Sequence, residues 1–173
     1  IYTPEKMTYP GQEPIYSPGP VKIAEGVATI GVIPCPMFFS YVGEQAIAVN
    51  VKNRGIVVIS GCGHQTIEKI VYRTERLFKE PLFGLVGGFH LPVTESRHIS
   101  RVYSWLVTGK LPWDSLKKED VKAYIALLKQ HGVRLVGISG HDSCDWSIEA
   151  FKNTYQDNYK DIAVGERITL KPW

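Results

Sequence analysis

Residues 55–64 read GIVVISGCGH, and this stretch decides how the rest of the chain is read. From Gly55 to Ser60 apolar side chains occupy successive positions rather than alternate ones. That pattern suits a strand buried on both faces, as in the parallel part of a layered α/β sheet. The run stops at glycine and then a histidine, His64. The same order recurs at 81–90, PLFGLVGGFH, and at 133–141, VRLVGISGH. Each apolar strand is followed by glycine and then by histidine: His64, His90, His141. Glycines before a side chain let the backbone turn sharply enough to aim an imidazole into a cleft. Strand C-termini are where ligands and catalysis collect in such folds.

Working outward, Thr66 can cap a helix in which Ile67, Ile70, Val71, Thr74, Leu77 and Phe78 fall at helical spacing. Upstream, QAIAVNV at 45–51 and the strand at 55–60 flank a tight turn, with Asn53 and Gly55 as its turn residues. PCPMFF at 34–39 carries two prolines and makes a poor central strand. Residues 21–33 are β-rich. Residues 1–20 are rich in Pro, Gly and Tyr, lack an apolar period, and read as an extended lead-in or linker. Residues 93–119 read as an insertion or long connection holding a helical HISRVYSWLV. A second helix starts near Ser115 and stops at Gly132, and a third spans DWSIEAFKNTYQDNY. DIAVGERITL reads as a closing strand pair turning at Gly165. The fold class is α/β (α+β), with strands and helices alternating after Gln45.

Neutral imidazole is a common ligand for zinc and iron, so three converging histidines can hold a metal. Singly, each also reads as a hydrogen-bonded structural residue at a strand end, and the spacing is not that of a compact zinc motif. His98, in a polar connection, and His131, at a helix end that favours a cation, read as structural. Asp142 and Asp145 flank His141. They are candidates to orient a ligand histidine, or else a solvated loop residue and a helix N-cap. Cys62 is a soft ligand or a small buried residue beside the site.

Composition excludes some classes. A net charge of +3, with Lys and Arg spread along the chain, gives no basic patch for nucleic acid. No apolar run reaches the roughly 18 residues of a membrane span, and no signal peptide is visible in a chain that starts at Ile1 rather than Met. Cys35, Cys62 and Cys144 are too few and too widely spaced for a disulfide framework, and reduced thiols would suit a cytoplasmic location. There is no nucleophilic triad, phosphate loop or dinucleotide fingerprint.

The stretches at 44–71 (EQAIAVNVKNRGIVVISGCGHQTIEKIV), 85–92 (LVGGFHLP), 136–142 (VGISGHD) and 164–170 (VGERITL) together resemble the metallo-β-lactamase superfamily. They are most similar to its dihydropterin-type ribofuranosylaminobenzene phosphate synthase-like subgroup. The resemblance runs from about Val21 to Leu170, with 93–119 poorly matched. It implies an αββα sandwich, with mainly its C-terminal half on this chain. It further implies a site of one or two metal ions, usually zinc and sometimes iron or manganese. His64, His90 and His141 match the motif histidines, although the cysteines that flank the last one in the subgroup are missing here. The implied activity is metal-dependent hydrolysis: a hydroxide nucleophile formed on the metal near neutral pH attacks an ester, phosphoester, lactone or related bond of a small molecule. A non-catalytic structural or binding half-domain and a di-iron redox member are the alternatives. The superfamily's His-x-His-x-Asp-His motif is absent from this sequence. The expected partner is therefore an N-terminal segment carrying it, or a second copy in a homo-oligomer. The free face of the sheet is expected to be strongly apolar.

Overall fold

The computed structural model describes residues 1–36, 41–94 and 115–170. In chain order, β1 is Tyr2–Thr3, β2 Ile15–Tyr16, β3 Lys22–Ala24, β4 Val27–Thr29, β5 Ile33–Pro36 and β6 Tyr41–Glu44. They are followed by β7 Ile47–Val51, β8 Gly55–Ser60, α1 Ile67–Leu77 and β9 Leu82–Gly87. The last elements are α2 Lys118–Gln130, β10 Leu135–Ile138 and α3 Asp145–Tyr155, which runs into a 3₁₀ turn at Gln156–Asn158.

The main sheet has six strands in the order β10-β9-β8-β7-β4-β3. β8, β9 and β10, the three strands that precede the histidines, pair in parallel. Their contiguous apolar runs are what that position requires: β9 and β10 are buried at every residue and β8 at all but Ile59. The β7–β8 hairpin turns at Asn53, which takes a positive φ of 61°. The Pro-bearing β5 lies outside this sheet and pairs only with β6, as a strand without free N–H groups at Pro34 and Pro36 must.

Among the described residues, one face of the sheet is covered by α1, α2 and α3. Ile67, Ile70 and Val71 of α1, Val121, Ile125 and Leu128 of α2, and Phe151 and Tyr155 of α3 pack there against Ile56, Val58, Leu85 and Val136. The other face carries Val57, Phe83, Val86 and Leu135, met by Ile162, Ile168 and Leu170 from the end of the chain. Beyond that cover, Ile47 and Ile59 sit opposite each other in the β7–β8 register, 42% and 45% exposed. The free face is therefore apolar, and part of it is open.

Several boundaries differ from the sequence reading. The closing segment turns at Val164–Gly165, but 161–170 form no strand. It lays Ile162, Ile168 and Leu170 onto the sheet by side chains, with Val164 fully exposed at the turn. Thr66 stands at the N-cap of α1 but makes no capping bond, because its φ of 72° turns the residue out of a capping geometry. Leu77, on the last turn of α1, is 38% exposed. α2 starts at Lys118 rather than near Ser115, where Asp120 accepts the Lys117 N–H at 2.7 Å. Cys144, not Asp145, is the N-cap of α3. The helix read at HISRVYSWLV, with His98, lies outside the described residues. His131 ends α2 as expected, its Nδ1 2.6 Å from Glu75 Oε1.

Candidate metal centre

The three histidine loops leave adjacent parallel strands at the same edge of the sheet, and they are laced to one another. Gly88 N donates to Gly61 O at 2.9 Å and Ser139 N to Gly87 O at 2.8 Å. Further out, Cys144 N and Ser147 Oγ donate to Leu91 O at 3.3 and 2.8 Å. Two glycines make this approach feasible, through close packing more than through turning. A Cβ on Gly63, whose φ is 69°, would fall 2.3 Å from Gly88 O. A Cβ on Gly88 would fall 2.1 Å from Gly61 O, 2.5 Å from Asp142 Oδ2 and 2.7 Å from His141 Cε1. By contrast, Gly61 has open space on its Cβ side and Gly140 only an ordinary contact at 3.7 Å.

His64 and His90 are in ring contact, their centroids 4.4 Å apart and their planes 31° from parallel. His90 has a φ of 53°, a strained value for a non-glycine residue, and among the described residues neither ring nitrogen has a hydrogen-bond partner although both are buried. Burial, with the charge of His64 next, pushes its pKa down to about 4. The ring is thus neutral near pH 7, the form that ligates a metal. His141 stands beside Gly88, more than half exposed, its Nδ1 2.8 Å from Ser139 Oγ and its Nε2 3.6 Å from Asp142 Oδ2.

Asp142 is buried and ties two of the loops together: its Oδ2 accepts the His90 backbone N–H at 3.1 Å and faces the His141 ring. Burial pushes its pKa up to about 6, against the opposing effects of His141, the His90 N–H and Ser143. Asp145 is exposed at the start of α3 and, among the described residues, takes no part in the contacts that join the histidine loops. Cys62 is half-buried, and its thiol pKa is raised by burial and by the charges of Glu44 and Asp142.

Glu44 is the residue that sequence reading missed. It ends β6, opposite the buried Ile33 of β5, and its Oε1 lies 2.8 Å from His64 Nδ1. Glu44, Cys62 and His64 each offer a ligand-type atom within 4.8 Å of the others. Burial pushes the Glu44 carboxyl up, but the hydrogen bond and charge of His64, with backbone bonds from His64 and Gln65, outweigh it and the net shift is downward. His64 shifts up, mainly through the Glu44 bond. No motif spacing marks Glu44, since it reaches the site from a separate hairpin.

These groups fit a metal ion on their chemistry. Imidazole, carboxylate and thiol are the donors zinc and iron prefer. Among the buried unpartnered atoms of the described residues are both His90 ring nitrogens, one of which a cation would satisfy. A small cleft of about 50 Å³ opens beside the two tilted rings, walled by Phe89, Leu91, Leu116 and Tyr124.

The His90 environment gives a pH prediction. In the metal-free chain its imidazole should stay neutral until about pH 4, read by NMR of the ring protons; a midpoint at the ordinary 6.5 would contradict the buried placement. Because the folded value lies below the unfolded one, His90 takes up its proton more readily on unfolding. Its share of stability is present above 6.5 and is lost as pH falls toward about 4.

No sequence-family profile and no curated protein matches this chain. In three dimensions it is similar to the crystal structure of a metal-dependent hydrolase of the β-lactamase superfamily, with a TM-score of 0.63 and 18% sequence identity. The likeness covers 92% of this chain and 59% of that one, so this chain spans less than two thirds of the neighbour's length. It shows that the chain has the superfamily's fold. No helix among the described residues is long and apolar enough to cross a membrane.

Proposed function

We propose that this chain supplies the C-terminal half of a metal-dependent hydrolase, in which His64, His90 and His141 contribute metal ligands. The observation that carries this reading is the convergence of three strand-end histidine loops at one sheet edge, with His64 and His90 in ring contact and the His90 ring nitrogens without hydrogen-bond partners among the described residues. The order of Gly-Cys-Gly-His64, Gly-Gly-Phe-His90-Leu and Gly-His141 supports the dihydropterin-type synthase-like subgroup as the nearest kin. Zinc is the favoured ion, with iron or manganese as substitutes. Free thiols at Cys35, Cys62 and Cys144 support a cytoplasmic location.

When bound, the ion acidifies water toward neutral pH and polarises the oxygen under attack. This chain's residues do the rest. Neutral His90 offers a lone pair without first losing a proton. Asp142 holds the His90 backbone and faces His141, keeping the second and third loops in register. The small cleft beside His64 and His90 marks where a small-molecule ester, phosphoester or lactone would approach the ion.

We place the remaining ligands on an N-terminal segment carrying His-x-His-x-Asp-His, because no such string occurs here and the solved neighbour is longer than this chain. The open Ile47 and Ile59 face supports a packing partner. The reading is tested by assaying the chain together with that segment against p-nitrophenyl esters, phosphodiesters and lactones in zinc, iron and manganese. Turnover that a chelator abolishes and zinc restores is expected. A folded, metal-free and inactive assembly would instead make it a structural or binding module, and an iron chromophore with redox activity would make it a di-iron protein.

A further inference from the structure

We propose that Glu44 is a positioning residue that holds His64 in one tautomer, with the proton on Nδ1, so that Nε2 is the nitrogen presented to the metal. This rests on the reading of His64 as a ligand. The Glu44 Oε1 to His64 Nδ1 separation is 2.8 Å, and both side chains are only 17% exposed, so water competes weakly for the bond. An ionised carboxylate only accepts, so the proton between the two atoms belongs to Nδ1. Glu44 comes from the β5–β6 hairpin, outside the parallel strands, so it braces the loop from a separate element. His90 has no such brace on either ring nitrogen. The two tilted imidazoles are therefore unlike: one is held in place by a carboxylate, and the other is not. A carboxylate bonded to the second nitrogen of a ligand histidine fixes ring orientation and raises ligand basicity, and its loss typically lowers metal affinity about 10–100-fold.

The test is long-range proton–nitrogen NMR of the metal-free chain at a pH well above the raised His64 pKa, where the ring is neutral, together with zinc affinity of the complemented protein by chelator competition, on wild type, E44Q and E44A. Wild type is expected to show His64 protonated on Nδ1. E44A should release the ring to a tautomer mixture and bind zinc about 10–100-fold more weakly. E44Q keeps an amide oxygen that can accept the same bond, and should fall between the two. A purely structural role would lower the melting temperature of E44A while leaving tautomer and affinity unchanged, and that result would overturn the proposal. So would a neutral wild-type His64 protonated on Nε2 in place of Nδ1. Loss of zinc in both variants with the tautomer retained would mean that Glu44 is itself a ligand, and would also overturn it. If E44A does not fold, the E44Q comparison decides. If the complemented wild type binds no zinc, the metal reading fails while the tautomer measurement still settles the role of Glu44.

Discussion

Gly88→Ala is expected to lower the melting temperature by roughly 10 °C and to disperse the histidine cluster. The new methyl would stand 2.1 Å from Gly61 O, 2.5 Å from Asp142 Oδ2 and 2.7 Å from His141 Cε1. The first neighbour is backbone, held by the Gly88 N–H bond itself, and the second is a buried carboxylate that accepts from His90. Neither of these two can swing away as the exposed His141 ring can. Overpacking a well-packed interior costs about 1–3 kcal/mol, and contacts this short belong at the upper end. For a chain of this size each kcal/mol corresponds to about 2–4 °C. The controls are built in. Gly61→Ala meets nothing, and Gly140→Ala meets only Ile148 Cδ1 at 3.7 Å, so each should stay within about 0.5 kcal/mol of wild type. Thermal melts of the three variants check this. Equal effects at Gly61, Gly88 and Gly140 would mean that the loops are not laced as described.

These glycines also show what the sequence could and could not convey. The parallel strands were legible because full burial of β8, β9 and β10 demands unbroken apolar runs, and such runs are visible at 55–60, 82–86 and 135–138. The histidines were legible because each follows such a run. The roles of the glycines were not: Gly61 and Gly140 look the same in sequence as Gly63 and Gly88, yet only the latter pair sits where a Cβ would strike the next loop. Glu44 was hidden for a similar reason, since its bond to His64 depends on how a separate hairpin is laid against the sheet. The closing segment was misread as strands because alternating apolar residues at 162, 168 and 170 serve equally well for laying side chains on an existing sheet face.

The second large effect concerns completeness. Purified alone, Ile1–Trp173 is expected to hold zinc weakly and to show no hydrolytic turnover. A tight catalytic zinc site needs about three protein ligands in fixed geometry, and on this account several come from the N-terminal segment. Supplying that segment should raise metal content and melting temperature together. A partner that binds only the folded state stabilises it by about 2.7 kcal/mol at a hundredfold excess over its dissociation constant. At about 2–4 °C per kcal/mol that is a shift of roughly 5–10 °C. Burial of Ile47 and Ile59, now 42% and 45% exposed, should accompany the gain and be visible as slowed hydrogen exchange along β7 and β8. A chain that is by itself a well-folded monomer with stoichiometric zinc and turnover would end the half-enzyme reading.

The central claim is that histidines from three loops share one metal, and it is tested most directly by the zinc content of the complemented protein after exhaustive dialysis, in wild type, His64→Ala and His90→Ala. The account predicts stoichiometric zinc in wild type and a loss of at least one order of magnitude in affinity in each variant, roughly the effect of removing one inner ligand. Zinc content and affinity unchanged in His64→Ala and His90→Ala, with the fold intact, would contradict it.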